Sequence, residues 1–260
     1  MLADTRRSAI VDAVERERVV SVAALAKMFN VSLMTVRRDI DALEDAGLLE
    51  KIHGGAKIHT GVSTHEPGFD LKSTQGQGEK HAIAREAAKM VKPGMAIGLS
   101  AGTTTWVLAK YLTAVPDLTV VTNSVHISEV FRAAKAATTV ILTGGERTPS
   151  DALVGTIAVA SIRQLHMDLL FLGVHGVDAV AGFTTPNLQE ADTDRALIAA
   201  SRRVVVLADE SKWGVLGIST IAGLDDVDEV ISDSGLAPEA QRVLGQHLRL
   251  RLVEVPGSAG

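Results

Sequence analysis

Cysteine is missing from the 260-residue sequence, and aromatic residues make up only 3% of it. The lack of cysteine excludes a disulfide framework and thiolate metal sites, and it fits a reducing cytoplasm. No run of about 18 apolar residues is present to span a bilayer, and the segment MLADTRRSAIVDAVERERVV is too charged for a signal peptide. We therefore expect a cytoplasmic protein that does not contact a membrane.

Low-complexity tracts and an excess of positive charge are also absent. With 46% apolar and 22% charged residues the chain has ample core material, and its length favours two domains. The formal net charge is −5, which argues against non-specific nucleic-acid binding. However, residues 1–60 hold nine basic and nine acidic residues, so the acidic excess lies entirely beyond residue 60. Any DNA-binding surface therefore depends on where those few charges are placed.

The first thirty residues predict two amphipathic helices. Helix one is expected at about residues 6–17, and its apolar side consists of Ile10, Val11 and Val14. Ser21 is the expected N-cap of helix two. The apolar stripe of helix two is spaced at i, i+3, i+4 and i+7 and consists of Val22, Leu25, Ala26 and Phe29. Asn30 and Val31 then leave room for only a tight turn.

A third helix is expected after the N-cap Ser32. Its predicted buried stripe consists of Leu33, Val36, Ile40 and Leu43. The exposed face and flanks of its first two turns hold Met34, Thr35, Arg37 and Arg38, whereas acidic residues follow. Only the N-terminal half of this helix can therefore approach a polyanion, as the recognition helix of a helix-turn-helix does. An isolated Arg-Arg pair is more typical of a solvated charged face, so the neighbouring elements decide between the two interpretations.

The segment GLLEKIHGGAKIH alternates apolar and polar residues around Gly54 and Gly55, which predicts a β-hairpin with a two-residue turn at the glycines. Helix, helix, tight turn, helix and hairpin in this order form a winged helix-turn-helix. We therefore predict that residues 1–58 bind DNA. The candidate DNA-binding residues are Ser21, Ser32, Met34, Thr35, Arg37, Arg38, Lys51, His53 and Lys57.

The segment LAKMFNVSLMTVRRDIDALEDAGLLEKIHGGA closely resembles the N-terminal domain of DeoR-type bacterial transcription regulators. The resemblance covers about residues 6–58. It implies that residues 20–39 form the helix-turn-helix, with Thr35, Arg37 and Arg38 in the DNA-contacting helix. The implied partner is double-stranded operator DNA.

The rest of the chain has a different pattern. Residues 59–78 are rich in glycine, serine and threonine without sustained periodicity, which indicates an interdomain linker. From residue 79 to residue 260, apolar strands such as MAIGLS, LLFLGV and RVVVLAD alternate with helices such as TTTWVLAKYL. This alternation predicts an α/β domain with a mainly parallel sheet covered on both faces. Ligands of such sheets bind at the carboxyl ends of the strands.

The loops after these strands carry the candidate effector site. In MAIGLSAGTTTWVLAKYL, amides and hydroxyl groups around Gly102 to Thr105 suit a phosphate, although a threonine-capped helix explains them equally well. Lys212 follows another strand, where its ammonium either reaches the same anion or is solvated. Capping stays an alternative for Asp178, for Glu190 and for the TNS segment that contains Asn123. The candidate effector-binding residues are Ser100, Gly102, Thr103, Thr104, Thr105, Asn123, His175, Asp178, Glu190 and Lys212. HGVD is not a metal-ligand spacing and no cofactor fingerprint is complete, so we expect neither a metal nor a cofactor.

The segments AGTTT, TNS, TGGE and DESKWG together resemble the C-terminal sensor domain of the DeoR family, whose fold is similar to ribose-5-phosphate isomerases. The resemblance covers about residues 79–234. It implies a phosphorylated sugar as effector, with the phosphate at Gly102 to Thr105 and Lys212, and a repressor of sugar-metabolism genes that this effector releases from its operator. Family members often have an acidic residue where this chain has Ser100, which leaves hydroxyl recognition on that side open.

Two other functions fit the residue pattern. A sugar-phosphate isomerase needs a carboxylate base, which Glu190 would supply, but such enzymes also carry a lysine in a Gly-rich segment and no lysine occurs between Lys135 and Lys212. A DNA-binding protein with a ligand-free oligomerisation domain is the second alternative. Because one small reading domain makes few DNA contacts, we expect a homo-oligomer, either a dimer or a tetramer, on repeated half-sites. The prediction is a regulator and not an enzyme.

Overall fold

A computed structural model describes residues 3–17, 19–45, 48–57, 62–63 and 68–255. The N-terminal part is a small unit of helices and short strands. Its elements are α1 (Ala3–Glu17), β1 (Val19–Ser21), α2 (Val22–Phe29), α3 (Leu33–Asp45), β2 (Glu50–Ile52) and β3 (Gly55–Lys57). The order of helices and hairpin is the one that the sequence predicts for a winged helix-turn-helix.

The predicted helix caps of this unit are confirmed. The Ser21 hydroxyl accepts a hydrogen bond from the backbone N–H of Ala24 at 3.1 Å, and the Ser32 hydroxyl accepts one from Thr35 at 3.1 Å. Between the two caps Asn30 has a φ of 52°, in the left-handed region that asparagine tolerates. This geometry gives the tight turn between α2 and α3.

The buried stripe of α3 differs from the prediction at its first position. Leu33 is 50% exposed, because α3 begins there and Leu33 lies ahead of the turns that pack against α1 and α2. Asp39 is buried instead, since its carboxylate faces Arg6 and Arg7 of α1. The buried residues of α3 are Val36, Asp39, Ile40 and Leu43.

The wing is a three-stranded antiparallel sheet in the order β1-β3-β2. Ile52 pairs with Gly55, so the hairpin turn consists of His53 and Gly54, and the predicted turn at Gly54 and Gly55 is one residue too late. Gly54 has a φ of +80°. At Gly55 a Cβ would lie only 2.3 Å from the carbonyl oxygen of Val20, so this glycine is what lets β1 approach β3. β1 was not predicted from the sequence.

The predicted linker at residues 59–78 contains regular structure, although residues 59–61 and 64–67 lie outside the described residues. β4 (Val62–Ser63) pairs in parallel with residues 216–217, and α4 (Phe69–Thr74) follows. The Phe69 ring lies 3.8 Å from the His126 ring in a stacked arrangement and 5.5 Å from Trp106 edge-on. These aromatic contacts stabilise the position of α4. The C-terminal end of the predicted linker is therefore packed against the second domain.

The second part of the chain alternates helices and strands. The helices are α5 (Gln77–Ala88), α6 (Thr103–Leu112), α7 (Val125–Ala133), α8 (Thr156–Ile162), α9 (Leu188–Ala199) and α10 (Pro238–His247). The strands are β5 (Ala96–Leu99), β6 (Thr119–Thr122), β7 (Thr139–Leu142), β8 (Glu146–Arg147), β9 (Leu153–Val154), β10 (Leu169–Gly173), β11 (Gly176–Asp178), β12 (Gly182–Thr185), β13 (Val204–Leu207), β14 (Leu216–Gly217), β15 (Ser219–Ala222), β16 (Glu229–Asp233) and β17 (Arg249–Val253).

Seven of these strands form one parallel sheet in the order β17-β16-β13-β10-β5-β6-β7. Its two faces are both covered, and alternate residues of one strand enter different cores. Leu169 and Phe171 of β10 pack with residues of α5, α6 and α7, whereas Leu170 and Leu172 pack with residues of α8, α9 and α10. The predicted fold class, an N-terminal winged helix-turn-helix followed by a mainly parallel α/β domain, is confirmed.

The direction of strand succession reverses between β5 and β10. β6 and β7 follow on the β5 side, while β13, β16 and β17 follow on the β10 side. In open α/β sheets, ligands bind in the crevice outside the carboxyl ends of the strands at such a reversal. The loops after β5, β10 and β13 therefore decide what this domain binds.

Candidate DNA-binding and effector-binding sites

The first turns of α3 present a cationic surface. Met34, Arg37 and Arg38 are exposed, and Thr35 is half-buried with its hydroxyl 2.8 Å from that of Ser32. Within the part of the chain that the structure describes, no ion pair engages either guanidinium. Both arginines are thus available to a polyanion, as the sequence predicts. Ser21 and Ser32, which are also candidate DNA-binding residues, serve as helix N-caps.

The wing lysines are paired with carboxylates of the same unit. Lys51 bonds Asp41 of α3, and this hydrogen bond raises the pKa of the Lys51 ammonium. Lys57 lies 3.0 Å from a carboxylate oxygen of Glu50, while His53 is exposed at the tip of the turn. For Lys51 and Lys57 to contact DNA, a phosphate would have to replace the carboxylate. Exchange of this kind is inexpensive because exposed ion pairs are weak.

A buried charge cluster fixes α3 against α1, and sequence reasoning missed it. The Asp39 carboxylate is 3% exposed and accepts hydrogen bonds from Arg6 Nε at 2.6 Å and from Arg7 Nε at 3.2 Å. Of the three consecutive residues Arg37, Arg38 and Asp39, the two arginines therefore point to solvent and the aspartate points into the unit. The sequence contains a second Arg-Arg pair at residues 6–7, on α1, besides the pair on α3. That second pair is the feature from which the cluster could have been predicted.

A cavity of about 890 Å³ opens where the loops after β5, β10 and β13 meet. Gly102 and Gly173 form the contact between the first two loops, since a Cβ on Gly102 would lie 3.7 Å from the Cα of Gly173. This is the strand reversal at which a ligand is expected. Six of the ten predicted effector residues line the cavity: Gly102, Thr103, Thr104, His175, Glu190 and Lys212.

The other four predicted effector residues hold the surrounding backbone in place. The Ser100 hydroxyl is fully buried and accepts a hydrogen bond from the Gly173 N–H at 2.9 Å. Thr105 donates to the Ser100 carbonyl at 2.7 Å, and Asn123 accepts from the Ala101 N–H at 2.7 Å. Asp178 caps a turn by accepting from Val180 and Ala181 at 2.8 Å. These side chains stabilise the loops that shape the cavity, and Asp178 follows the capping alternative.

The N-terminus of α6 faces the cavity without a side-chain cap. Gly102 is the N-cap residue, and Thr103 and Thr104, which are almost fully buried, line the cavity. The first backbone amides of a helix lack intrahelical acceptors and lie at the positive end of the helix dipole. The arrangement gives an anion several N–H donors together with threonine hydroxyl groups.

Two lysines add positive charge to the same cavity. Lys212 was predicted, and the structure adds Lys80, which is 4% exposed and donates to the carbonyls of Lys72 and Gln75 at 2.6 Å. Burial alone would raise the pKa of Asp209, but the ammonium groups of Lys212 and Lys80 hold it below the usual value. The Asp209 carboxylate therefore carries a negative charge near these two ammonium groups. No signal in the sequence marks Lys80, because it lies within the ordinary helical pattern of α5.

Carboxyl groups line another part of the cavity wall. Glu190 accepts a hydrogen bond from the Thr185 hydroxyl, and Asp194, one helical turn later, is 4% exposed. Sequence reasoning selected Glu190 but missed Asp194, although the spacing i, i+4 places both on one face of a helix. Trp213 also lines the cavity directly after Lys212.

Residues of the DNA-binding unit complete the cavity wall. Ala9 of α1 and Met28 and Phe29 at the end of α2 line it, and α1 contacts α4. Met28 is 49% exposed. The helix-turn-helix and the α/β domain therefore share one cavity.

The described residues include neither a group of three potential metal ligands nor a helix that is long and apolar enough to cross a bilayer.

Comparison with known proteins agrees with both halves of the structure. The DeoR-like helix-turn-helix domain matches residues 6–62, and the DeoR C terminal sensor domain matches residues 75–234. The HTH-type transcriptional regulator FruR of Bacillus subtilis is 35% identical over 90% of this chain and 92% of its own length. The glycerol-3-phosphate regulon repressor of Escherichia coli is 31% identical over 93% and 95% of the two chains, and the transcriptional repressor AccR of Agrobacterium fabrum is 34% identical over 88% and 89%.

Among solved structures, ribose 5-phosphate isomerase A of Methanocaldococcus jannaschii is 19% identical and covers 52% of this chain and 53% of its own, with a TM-score of 0.38. A similarity this low supports no conclusion about activity. The two domain matches and the full-length relatives are specific, and the matches cover α3 as well as most of the residues that line the cavity. The chain is a member of the DeoR family of DNA-binding transcriptional regulators, and it is not an enzyme.

Proposed function

We propose that the protein is a cytoplasmic repressor that binds operator DNA through residues 1–58 and leaves it when a phosphorylated sugar occupies the cavity. The DNA contacts come from the first turns of α3 and from the wing. The observation that carries the proposal is the cavity itself, which combines an uncapped helix N-terminus, two lysines and a pair of carboxyl groups at the strand reversal.

The charge distribution supports a ligand with two unlike ends. A phosphate dianion is stabilised by the amides of Thr103 and Thr104 and by the Lys212 ammonium. Among the described residues, no ion pair within 4.0 Å engages Lys212, so its ammonium can turn to a ligand. A phosphate beside Glu190 would be repelled, so this carboxylate faces the hydroxyl groups of the ligand. Free inorganic phosphate would occupy only the phosphate-binding end of the cavity.

The shared wall supports a direct coupling between ligand and DNA. A ligand that fills the cavity contacts the surface next to Met28 and Phe29, which belong to the helix preceding the DNA-reading helix. Effector control requires only that the ligand bind one arrangement of the two domains better than the other. Coupling energies between two such sites are typically about 1 to 3 kcal/mol, or about 5- to 150-fold in affinity. Two of the relatives are named repressors, which supports the sign of regulation.

The test compares DNA release by the parent and by Lys212→Met. A duplex selected by the protein from a randomised pool serves as the operator, and fluorescence anisotropy reports binding while sugar phosphates of three to six carbons are added. The parent should release the duplex with at least one of them. The Lys212→Met protein should bind DNA normally and fail to respond, because methionine keeps the apolar stem but removes the charge.

Lys92→Met is the matched control, because Lys92 is exposed and lies just before β5, at the amino end of the sheet away from the cavity. It should respond like the parent. Thermal melting adds a second readout, since a ligand at 100 times its dissociation constant stabilises by about 2.7 kcal/mol. A chain that no sugar phosphate stabilises would instead be a DNA-binding protein with a ligand-free oligomerisation domain, and an equally responsive Lys212→Met would remove this lysine from the site.

A further inference from the structure

Asp194 is a carboxyl group inside the cavity that none of the roles above uses. It lies on α9 one turn after Glu190, and its residue is 4% exposed. Side chains four positions apart on a helix are neighbours, so the two carboxyl groups share one stretch of the cavity wall. Two carboxylates on one helix face, of which Asp194 is almost fully buried and Glu190 half-buried, repel each other unless one of them carries a proton.

The surroundings of Asp194 compensate a negative charge only in part. Among the residues that the structure describes, no hydrogen-bond donor reaches the Asp194 carboxyl group. Its neighbour Arg195 is held elsewhere, by Asp192 at 2.8 Å, by the Ser219 hydroxyl at 3.3 Å and by the Thr220 carbonyl. Burial and the negative charge of Glu190 raise the pKa of Asp194 well above its ordinary value, which Arg195 only partly offsets. The protonated form of Asp194 is thus favoured, and no described residue makes a hydrogen bond to its carboxyl group.

The Asp194 carboxyl group lies on the wall of a cavity that is open to a ligand, so a ligand can supply the hydrogen-bond partner that the described residues do not. Glu190 differs from it in its hydrogen bonding, since the Thr185 hydroxyl donates to its carboxylate. The pair therefore offers one donor and one acceptor side by side. A ligand with adjacent oxygen functions, one accepting and one donating, is complementary to it.

We propose that Asp194 and Glu190 select the polyol part of the effector, with the Asp194 acid donating to a ligand oxygen and the Glu190 carboxylate accepting from a neighbouring hydroxyl. This inference rests on the proposed effector function. It names the ligand class more closely: a phosphorylated sugar or sugar alcohol is accepted, whereas a phosphorylated sugar acid is disfavoured because Glu190 repels its carboxylate.

The experiment uses ligand binding to the full chain, detected by Trp213 fluorescence. Trp106 is the other tryptophan, and it is replaced by phenylalanine in every variant so that only the cavity reports. The probes are inorganic phosphate, glycerol 3-phosphate, ribose 5-phosphate, fructose 6-phosphate, glucose 6-phosphate and 6-phosphogluconate. Asp194→Asn, Asp194→Leu and the control Asp192→Asn are compared. Asp192 lies on the same helix but its side chain is 67% exposed.

Asp194→Asn should bind the sugar phosphates nearly as well as the parent, because its amide N–H replaces the acid O–H. Asp194→Leu should lose about 10- to 100-fold in affinity for them, the usual effect of an unpaired ligand oxygen, while inorganic phosphate binds as before. Asp192→Asn should match the parent. Among the six-carbon probes, 6-phosphogluconate should bind the parent more weakly than the sugar phosphates.

The experiment distinguishes a failure of this inference from a failure of the proposed effector function. If Asp194→Leu binds the sugar phosphates like the parent, or if Asp194→Asn is as weak as Asp194→Leu, then Asp194 does not act as a neutral donor and the inference alone is overturned. If the parent binds none of the organic phosphates, the proposed effector class is wrong and the inference falls with it. Circular dichroism spectra of each variant show whether the fold is intact, and the isosteric Asp194→Asn protein keeps the test decisive if Asp194→Leu does not fold.

Discussion

Replacing Asp39 by alanine should destabilise the DNA-binding unit while leaving the α/β domain intact. The Asp39 carboxylate accepts from Arg6 Nε at 2.6 Å and from Arg6 Nη2 at 3.3 Å, and the Arg6 side chain is only 11% exposed. Hydrogen bonds to charged groups contribute about 1.5 to 3 kcal/mol, and loss of one partner leaves the other charge partly desolvated. The Arg7 contact adds little, because that side chain is 36% exposed and water replaces the carboxylate. The expected loss is about 2 to 4 kcal/mol.

A loss of this size matters because the unit is small. A core as limited as that of residues 3–57 rarely supplies more than about 3 to 5 kcal/mol of stability. The variant unit should therefore be partly unfolded under ordinary conditions. Its apparent affinity for DNA should fall with the folded fraction, although Arg37 and Arg38 are unchanged.

The chain provides its own reporters for this prediction. Both tryptophans, Trp106 and Trp213, lie in the α/β domain, but Trp213 lines the cavity that the two domains share. In a Trp213→Phe background the fluorescence of Trp106 therefore follows the α/β domain, whereas far-ultraviolet circular dichroism follows all helices. In urea, Asp39→Ala should show an early loss of dichroism that the fluorescence does not share. Asp41→Ala is the control on the same helix, since Asp41 and its partner Lys51 are about half exposed and their pairing is screened by solvent. Equal effects of the two substitutions would refute the assignment of a stabilising role to the buried cluster.

Three further predictions concern DNA, pH and assembly. Arg38→Ala should weaken operator binding by about 1 to 3 kcal/mol if the side chain reads a base, or lower the salt slope by roughly one if it contacts a phosphate; unchanged affinity and slope in both Arg37→Ala and Arg38→Ala would contradict the recognition surface. Burial raises the folded-state pKa of Asp194 above its ordinary value of 3.8, so the contribution of this group to stability is complete below pH 3.8 and is lost as the pH rises through the folded-state pKa. In urea titrations Asp194→Asn should therefore gain stability relative to the parent as the pH rises. A stability difference that does not depend on pH would show that Asp194 is ionised. The protein should sediment as a dimer or tetramer and protect repeated half-sites, and a monomer that protects a single half-site would exclude this assembly.

Most of the fold follows from periodicity and turn chemistry. The α/β pattern is legible because strands buried on both faces are continuously apolar, as in Val204–Leu207, while helices between them carry polar residues. The N-caps Ser21 and Ser32 are local signals, since each hydroxyl bonds an amide three residues later. β1 was missed because a strand of three residues has too few positions to show alternation, and it exists only because Gly55 lets β3 approach it.

The candidate site was harder to predict, because its residues meet only in three dimensions. Hydroxyl and amide groups look alike in sequence whether they face a ligand or a neighbouring loop, so Ser100 and Asn123 could not be separated from Thr103. Lys80 and Asp194 were missed for a related reason. Each lies within an ordinary helical pattern, and only the packing of α5 and α9 shows that the side chain is buried at the cavity.

The construction of the wing limits how the protein can adapt to DNA. Ser21 ends β1 and also caps α2, and Val20 pairs with Ala56 of β3, so the wing and the helix-turn-helix have a residue in common. Changing the separation between the hairpin tip at His53 and the arginines of α3 would break either the cap or the strand pairing. The distance between these contact points is therefore set by the protein, and the duplex has to conform to it. Operator preference should then include base steps that bend easily or narrow a groove, at positions that no side chain touches.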